Sequence, residues 1–180
     1  GHTDILVVTD KALKELGLAE RALAPLTDAG VNLHWYAGVD PDPTFAHVTE
    51  GAEVLRAAGC TAIVAVGGGS SMDAAKIIAC TRTSDESPDK WVGLNKVPDD
   101  VLPIYAIPTT SGTGSEATMG AVIKDPEEQL KHIIVGEDLL PQAVALDPDL
   151  LLGLPAPVTA ATGIDALTHG IEAYICIWDR

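Results

Sequence analysis

The chain has 180 residues, 47% of them hydrophobic, enough for one domain with a real core or one domain plus part of another. Its formal net charge of -15, from 26 acidic against 11 basic residues, repels nucleic-acid phosphates and anionic lipid surfaces, so nucleic acid and membrane are not expected partners. Any phosphate ligand must then be held locally, by backbone N–H groups and helix N-termini.

In chain order, Asp4–Thr9 predicts a strand and is followed by a helix rich in Ala, Leu and Lys from about Lys11. VNLHWYAG predicts a second strand and Thr44–Ala58 a helix. TAIVAVGGGSSMDAAKIIAC predicts a buried strand, a glycine turn and a helix. Such alternation implies parallel strands with right-handed crossovers, hence an open, mostly parallel α/β sheet with helices on both faces. SDESPDKWVGLNKVPDD is polar and aperiodic and reads as a long surface loop or excursion, after which VLPIYAIP returns to the sheet. AVIKDPEEQLKHIIV has two β-like arms about a DPEEQ turn, predicting an antiparallel hairpin, and VALDP a further short strand. Beyond LLGLP the pattern becomes Ala-rich helix, and Pro155 and Pro157 suit a boundary, so domains are placed at residues 1–152 and 153–180. No apolar run is long enough to span a membrane, and the opening GHTDILVVTD has neither a basic region nor a cleavage site; a cytoplasmic protein is expected. Cys60, Cys80 and Cys176 lack C-x-x-C spacing and read as small buried apolar residues in a reducing compartment.

Three segments carry chemistry. Gly67-Gly68-Gly69-Ser70-Ser71 sits between an apolar strand and a helix, where glycines let a ligand approach the backbone and free helix N–H groups face it. A pyrophosphate would fit; a serine-capped structural turn is the alternative. Met72 occupies the third-glycine place of a G-x-G-x-x-G fingerprint, and Asp73 stands where a Walker A loop needs lysine. PTTSGTGSEAT, from Pro108 to Thr118, is a second glycine-rich turn after a strand, and its Thr109, Thr110 and Ser115 offer hydroxyls to ribose or phosphate. In TGIDALTHGIEAY, Asp165 and His169 stand four apart, on one helix face, and can grip a cation from the same side.

GGGSSMDAAK, PTTSGTGSEAT and TGIDALTHGIEAY, with DPDLLLGLP between the last two, together resemble the iron-containing (group III) alcohol dehydrogenases from about Ile5 to Tyr174. The resemblance implies a dehydroquinate synthase-like α/β dinucleotide-binding domain followed by the start of an all-helical metal-binding domain. By matching position, Gly68, Gly69, Ser70 and Ser71 would hold the pyrophosphate of NAD, and Thr109 and Thr110 would flank pyrophosphate and ribose. Asp10 would bind the adenosine ribose and repel the 2′-phosphate of NADP. Asp42 would lie near the adenine ribose, and Lys131 would reach a cofactor ribose. Asp165 and His169 match two ligands of Fe²⁺, or of Zn²⁺ in its place. The family's other two ligands are histidines of the helical domain, and none of His2, His34, His47 and His132 occupies a matching position. The implied activity is metal-dependent hydride transfer between NAD and a small primary alcohol or its aldehyde, in a complete protein that is a homo-oligomer and of which this chain is a truncated form. Two alternatives stay open: a non-catalytic nucleotide-binding fragment with no complete metal site, and a related glycerol or hydroxyacid dehydrogenase.

Overall fold

The computed structural model describes residues 1–84 and 86–177. It opens with β1 (Asp4–Val8), after which Asp10 caps α1 (Lys11–Glu15) by accepting a 2.9 Å bond from the Leu13 N–H. The single helix expected from Lys11 is in fact two. Gly17 adopts a left-handed φ of +68°, which ends α1 and starts α2 (Leu18–Asp28) in a new direction. β2 (Asn32–Tyr36) leads to α3 (Phe45–Ala58), whose start is closed by reciprocal bonds between Thr44 and His47. β3 (Ala62–Gly67) then runs straight into α4 (Gly69–Cys80).

Of the two forms expected for the polar stretch, a surface loop or an excursion, the segment takes the second. Within it Pro88–Trp91 forms a 3-10 turn that sinks Trp91 to 1% exposure, and β4 (Gly93–Leu94) joins a sheet. Polar neighbours dominate the pattern there, yet one indole offers enough apolar area to anchor the segment. β5 (Ile104–Pro108), β6 (Gly120–Asp125), β7 (Leu130–Val135) and β8 (Ala143–Val144) follow, and α5 (Ala156–Ile175) comes last.

The main sheet has the order β2-β1-β3-β5-β8 with every pairing parallel. Strand alternation divides its core between two faces. Leu6, Val8, Ile63 and Ala65 meet α3 and α4 residues such as Val48, Leu55, Met72 and Ile78. Ile5, Val7, Val64 and Val66 meet Ala19 and Leu23 of α2. Helices therefore cover both faces, as expected. The hairpin β6–β7 forms with Asp125 opposite Leu130, but it belongs to a separate sheet, β4-β7-β6. That second sheet closes over the outer side of α4, which is why Ala74 to Cys80 are buried without a break. Cys60 and Cys80 are buried as expected, whereas Cys176 is exposed, because it ends α5, which packs none of its residues into the core. Among the described residues, no helix is long and apolar enough to cross a membrane.

Candidate cofactor and metal site

β3 and β5 end side by side, with Gly67 in register with Pro108, so the two glycine-rich turns leave the sheet together at its carboxyl edge. Ligands of open α/β sheets sit at that edge. The first turn enters α4 at Gly68 with no side-chain cap, which leaves the N–H groups of the helix's first turn for a ligand. The turns interlock closely. A Cβ on Gly68 would stand 3.0 Å from Thr110 Oγ1, and one on Gly69 would stand 2.8 Å from Thr113 Cγ2. The second turn, despite its G-x-G-x-x-A spelling, leads into a single 3-10 turn over Ser115–Ala117 and not into a long helix.

Two residues of α4 that the sequence reading did not single out hold this second turn. Lys76 is fully buried, and its Nζ donates to the carbonyls of Ser115 at 2.7 Å, Thr118 at 2.8 Å and Gly120 at 2.8 Å. Burial lowers its pKa to about 8, against the pull of the Asp73 and Glu116 carboxylates. Asp73, one turn earlier, accepts from Ser115 Oγ at 2.7 Å and from the Val122 N–H at 3.0 Å; burial raises its pKa, while those bonds and Lys76 lower it. The Ser115 hydroxyl, expected to face a ligand, thus donates its hydrogen bond to Asp73. A lysine inside the apolar run DAAKIIAC was the available signal, but its partners lie some forty residues away and no periodicity names them.

The turns separate two cavities that share Ser70. The first, of about 590 Å³, is lined by Gly68, Ser70, Ser71, Thr109 and Thr110, with Asp10 at one side and Leu13, Val39, Leu150 and Leu154 as apolar wall. The second, of about 580 Å³, brings together Gly69, Ser70, Thr113, Ser115, Asp42, Lys131, Asp165 and His169. Every predicted site residue therefore lines one cavity or the other. Asp42 lies in the second cavity and not beside Asp10; its backbone is left-handed, and Lys131 Nζ donates to its Oδ1 at 2.6 Å. That bond lowers the Asp42 pKa.

The Asp165–His169 pair is carried by α5, which buries none of its own residues in this chain. His169 Nδ1 lies 2.8 Å from the Gly112 carbonyl, to which it donates, and this places the proton on Nδ1 and leaves the Nε2 lone pair free. Nε2 stands 3.9 Å from Asp165 Oδ1. One imidazole nitrogen and one carboxylate oxygen thus face the same space, as ligands of a single first-row cation do. Gly112 permits this approach. It has φ +107°, and a Cβ there would collide with the Thr162 carbonyl and come within 3.0 Å of Asp165 Oδ2. No third His, Cys, Asp or Glu of the described residues joins the pair.

A profile described as "Iron-containing alcohol dehydrogenase" matches residues 1–148. NAD-dependent methanol dehydrogenase of Bacillus methanolicus is 39% identical over 175 residues, covering 97% of this chain and 46% of that protein. A crystal structure of 1,3-propanediol oxidoreductase superposes with TM-score 0.93 at 40% identity over 97% of this chain and 46% of the other. Sulfoacetaldehyde reductase from Bifidobacterium kashiwanohense, solved in complex with NAD⁺, superposes with TM-score 0.87 at 36% identity, covering 96% of this chain and 46% of that one. The chain spans less than half the length of these relatives. With its sheet edge, interlocked turns and Asp165–His169 pair in the same arrangement as its motifs, the chain belongs to the iron-containing alcohol dehydrogenase family.

Proposed function

We propose that this chain is the cofactor-binding portion of an NAD-dependent dehydrogenase that interconverts a small primary alcohol and its aldehyde. The observation that carries this reading is the pair of cavities joined at Ser70. One is apolar-walled, with a carboxylate at one side, and the other contains the Asp165–His169 pair. A dinucleotide laid across the Gly68–Ser70 turn would put its adenosine in the first and its nicotinamide in the second. The glycines suit that placement, because side chains there would fill the space between the two turns.

On this reading the α4 N-terminus and the backbone of the first turn bind the pyrophosphate, which a chain of net charge -15 has no basic field to attract. Asp10 accepts from the adenosine ribose, Lys131 reaches the second ribose, and Thr109 and Thr110 line the path between. Asp165 and His169 would hold Fe²⁺, with Zn²⁺ as the alternative, and the neighbouring Gly112 carbonyl keeps the imidazole in its ligating tautomer. When bound, the metal supplies Lewis acidity and NAD supplies the hydride acceptor. The apolar stripe Ile164, Leu167, Ile171 and Ile175 of α5, all exposed, is the surface on which a helical metal-binding domain beginning near residue 153 would pack. In the complete protein we place this enzyme in the cytoplasm, as a homo-oligomer.

The test is calorimetric titration of the chain with NAD⁺, with NADP⁺ as control. Saturable binding that favours NAD⁺ is expected, and no binding to a demonstrably folded chain would overturn the proposal. Asp10→Asn refines it. The amide keeps the acceptor that caps α1 but removes the charge, so NADP⁺ affinity should rise relative to NAD⁺ by roughly tenfold, about 1.4 kcal/mol. An unchanged ratio would remove Asp10 from the cofactor site.

A further inference from the structure

The β6–β7 hairpin carries a second group of metal-ligating side chains, outside both cavities. Lys124 and Lys131 are directly opposite one another and line the second cavity. Strand alternation therefore puts the neighbouring pairs, Ile123 with His132 and Asp125 with Leu130, on the other face of the hairpin. There one ligand atom each from Asp125, Glu128 and His132 comes within 4.8 Å of the other two. His132 Nε2 is 3.4 Å from Glu128 Oε2 and 3.9 Å from Asp125 Oδ2.

The three groups are held by different contacts. Asp125 uses Oδ1 to accept from the Glu127 N–H at 2.8 Å and the Glu128 N–H at 3.2 Å, so Oδ2 is the oxygen turned toward the imidazole. The His132 ring lies 6.0 Å from the Phe45 ring at the start of α3, which limits its rotation. A first-row ion held at about 2.0–2.2 Å from nitrogen and oxygen needs its ligand atoms roughly 3.0–3.5 Å apart. The Nε2–Oε2 separation is already in that range, and Asp125 Oδ2, at 3.9 Å from Nε2, is the atom that would close in on binding.

We propose that Asp125, Glu128 and His132 form a second divalent-cation site, suited to Zn²⁺, that ties the hairpin tip to strand β7 beside α3. An imidazole among two carboxylates favours a borderline cation over Mg²⁺ or Ca²⁺, which take all-oxygen sites. The two carboxylates balance the ion's charge, and the exposed turn leaves room for water in the remaining positions. The site is independent of the dehydrogenase reading, since none of its side chains lines either cavity.

The test is calorimetric titration of ZnCl₂ into the full chain carrying Asp165→Ala and His169→Ala, which removes the helix pair. One Zn²⁺ per chain should still bind, and adding His132→Ala should weaken that binding at least tenfold. Glu128→Gln, in an exposed turn side chain, should weaken it as well and decides the matter if the His132 variant does not fold. An isotherm unchanged by Glu128→Gln or His132→Ala, or no saturable Zn²⁺ binding before they are added, would overturn the proposal and leave the three groups as a surface ion-pair network.

Discussion

Lys76→Met should abolish NAD⁺ binding and destabilise the chain by about 3–5 kcal/mol, the usual cost of breaking a buried charged interaction from one side. Methionine matches the lysine stem in length and apolar character, so the core around Ile77 and Ile78 is not emptied. What disappears is the ammonium. The carbonyls of Ser115, Thr118 and Gly120 then lose the ammonium at the inner side of the second turn, and Ser115 keeps only the 3.4 Å contacts from the Thr118 N–H and hydroxyl. An unpaired buried acceptor costs about 1–3 kcal/mol, so the segment will move toward water to recover its bonds. Because Thr110 and Thr113 of that turn pack against Gly68 and Gly69, the movement deforms the proposed pyrophosphate cradle. Urea denaturation and NAD⁺ titration check this together. A wild-type midpoint would show that the three bonds contribute no net stability. A lowered midpoint with intact NAD⁺ affinity would show that the second turn does not shape the cofactor site.

Gly112→Ala should reduce metal affinity at Asp165 and His169 at least tenfold while sparing most of the fold. Alanine at φ +107° costs about 1–3 kcal/mol in backbone strain. Its methyl also meets the backbone carbonyl of Thr162, which cannot swing aside as a side chain does. The relief open to the chain is to move α5 away, and α5 buries none of its residues here, so little else holds it. That movement separates His169 Nδ1 from the Gly112 carbonyl and releases the imidazole from its fixed tautomer. The comparison is Gly153→Ala, where an added Cβ meets nothing within 4 Å. Titration with Fe²⁺ or Zn²⁺ in chains also carrying Glu128→Gln and His132→Ala, which weaken the hairpin site equally in both, lets the difference between the two alanine variants report the helix pair. Equal affinities for the two alanine variants would remove the Gly112 contact from the metal site.

Much of this site is local and was readable in the residues. GGGSS follows an apolar run and precedes a helix, and its glycines announce a backbone that something approaches. The DPEEQ turn announces a hairpin, and the four-residue spacing of Asp165 and His169 puts both on one helical face. Other features are not legible locally, for reasons that are also physical. The Ala, Leu and Lys content after Lys11 outweighs one glycine, yet Gly17 breaks the helix in two. Around Trp91 the polar neighbours dominate the pattern, and it is insensitive to one buried indole.

By itself the sequence determined the strand and helix periods, the turns that end them, the acidic charge that demands a local phosphate cradle, and the family whose motifs it shares. Only the tertiary structure decided that β6 and β7 leave the main sheet to cover α4, that Ser70 stands between two cavities, and that Lys76 and Asp73 hold the second turn. The reason is one of range. Periodicity and turn chemistry act over a few residues, whereas a buried ammonium takes whichever carbonyls the packed fold places within reach, and those are remote in sequence.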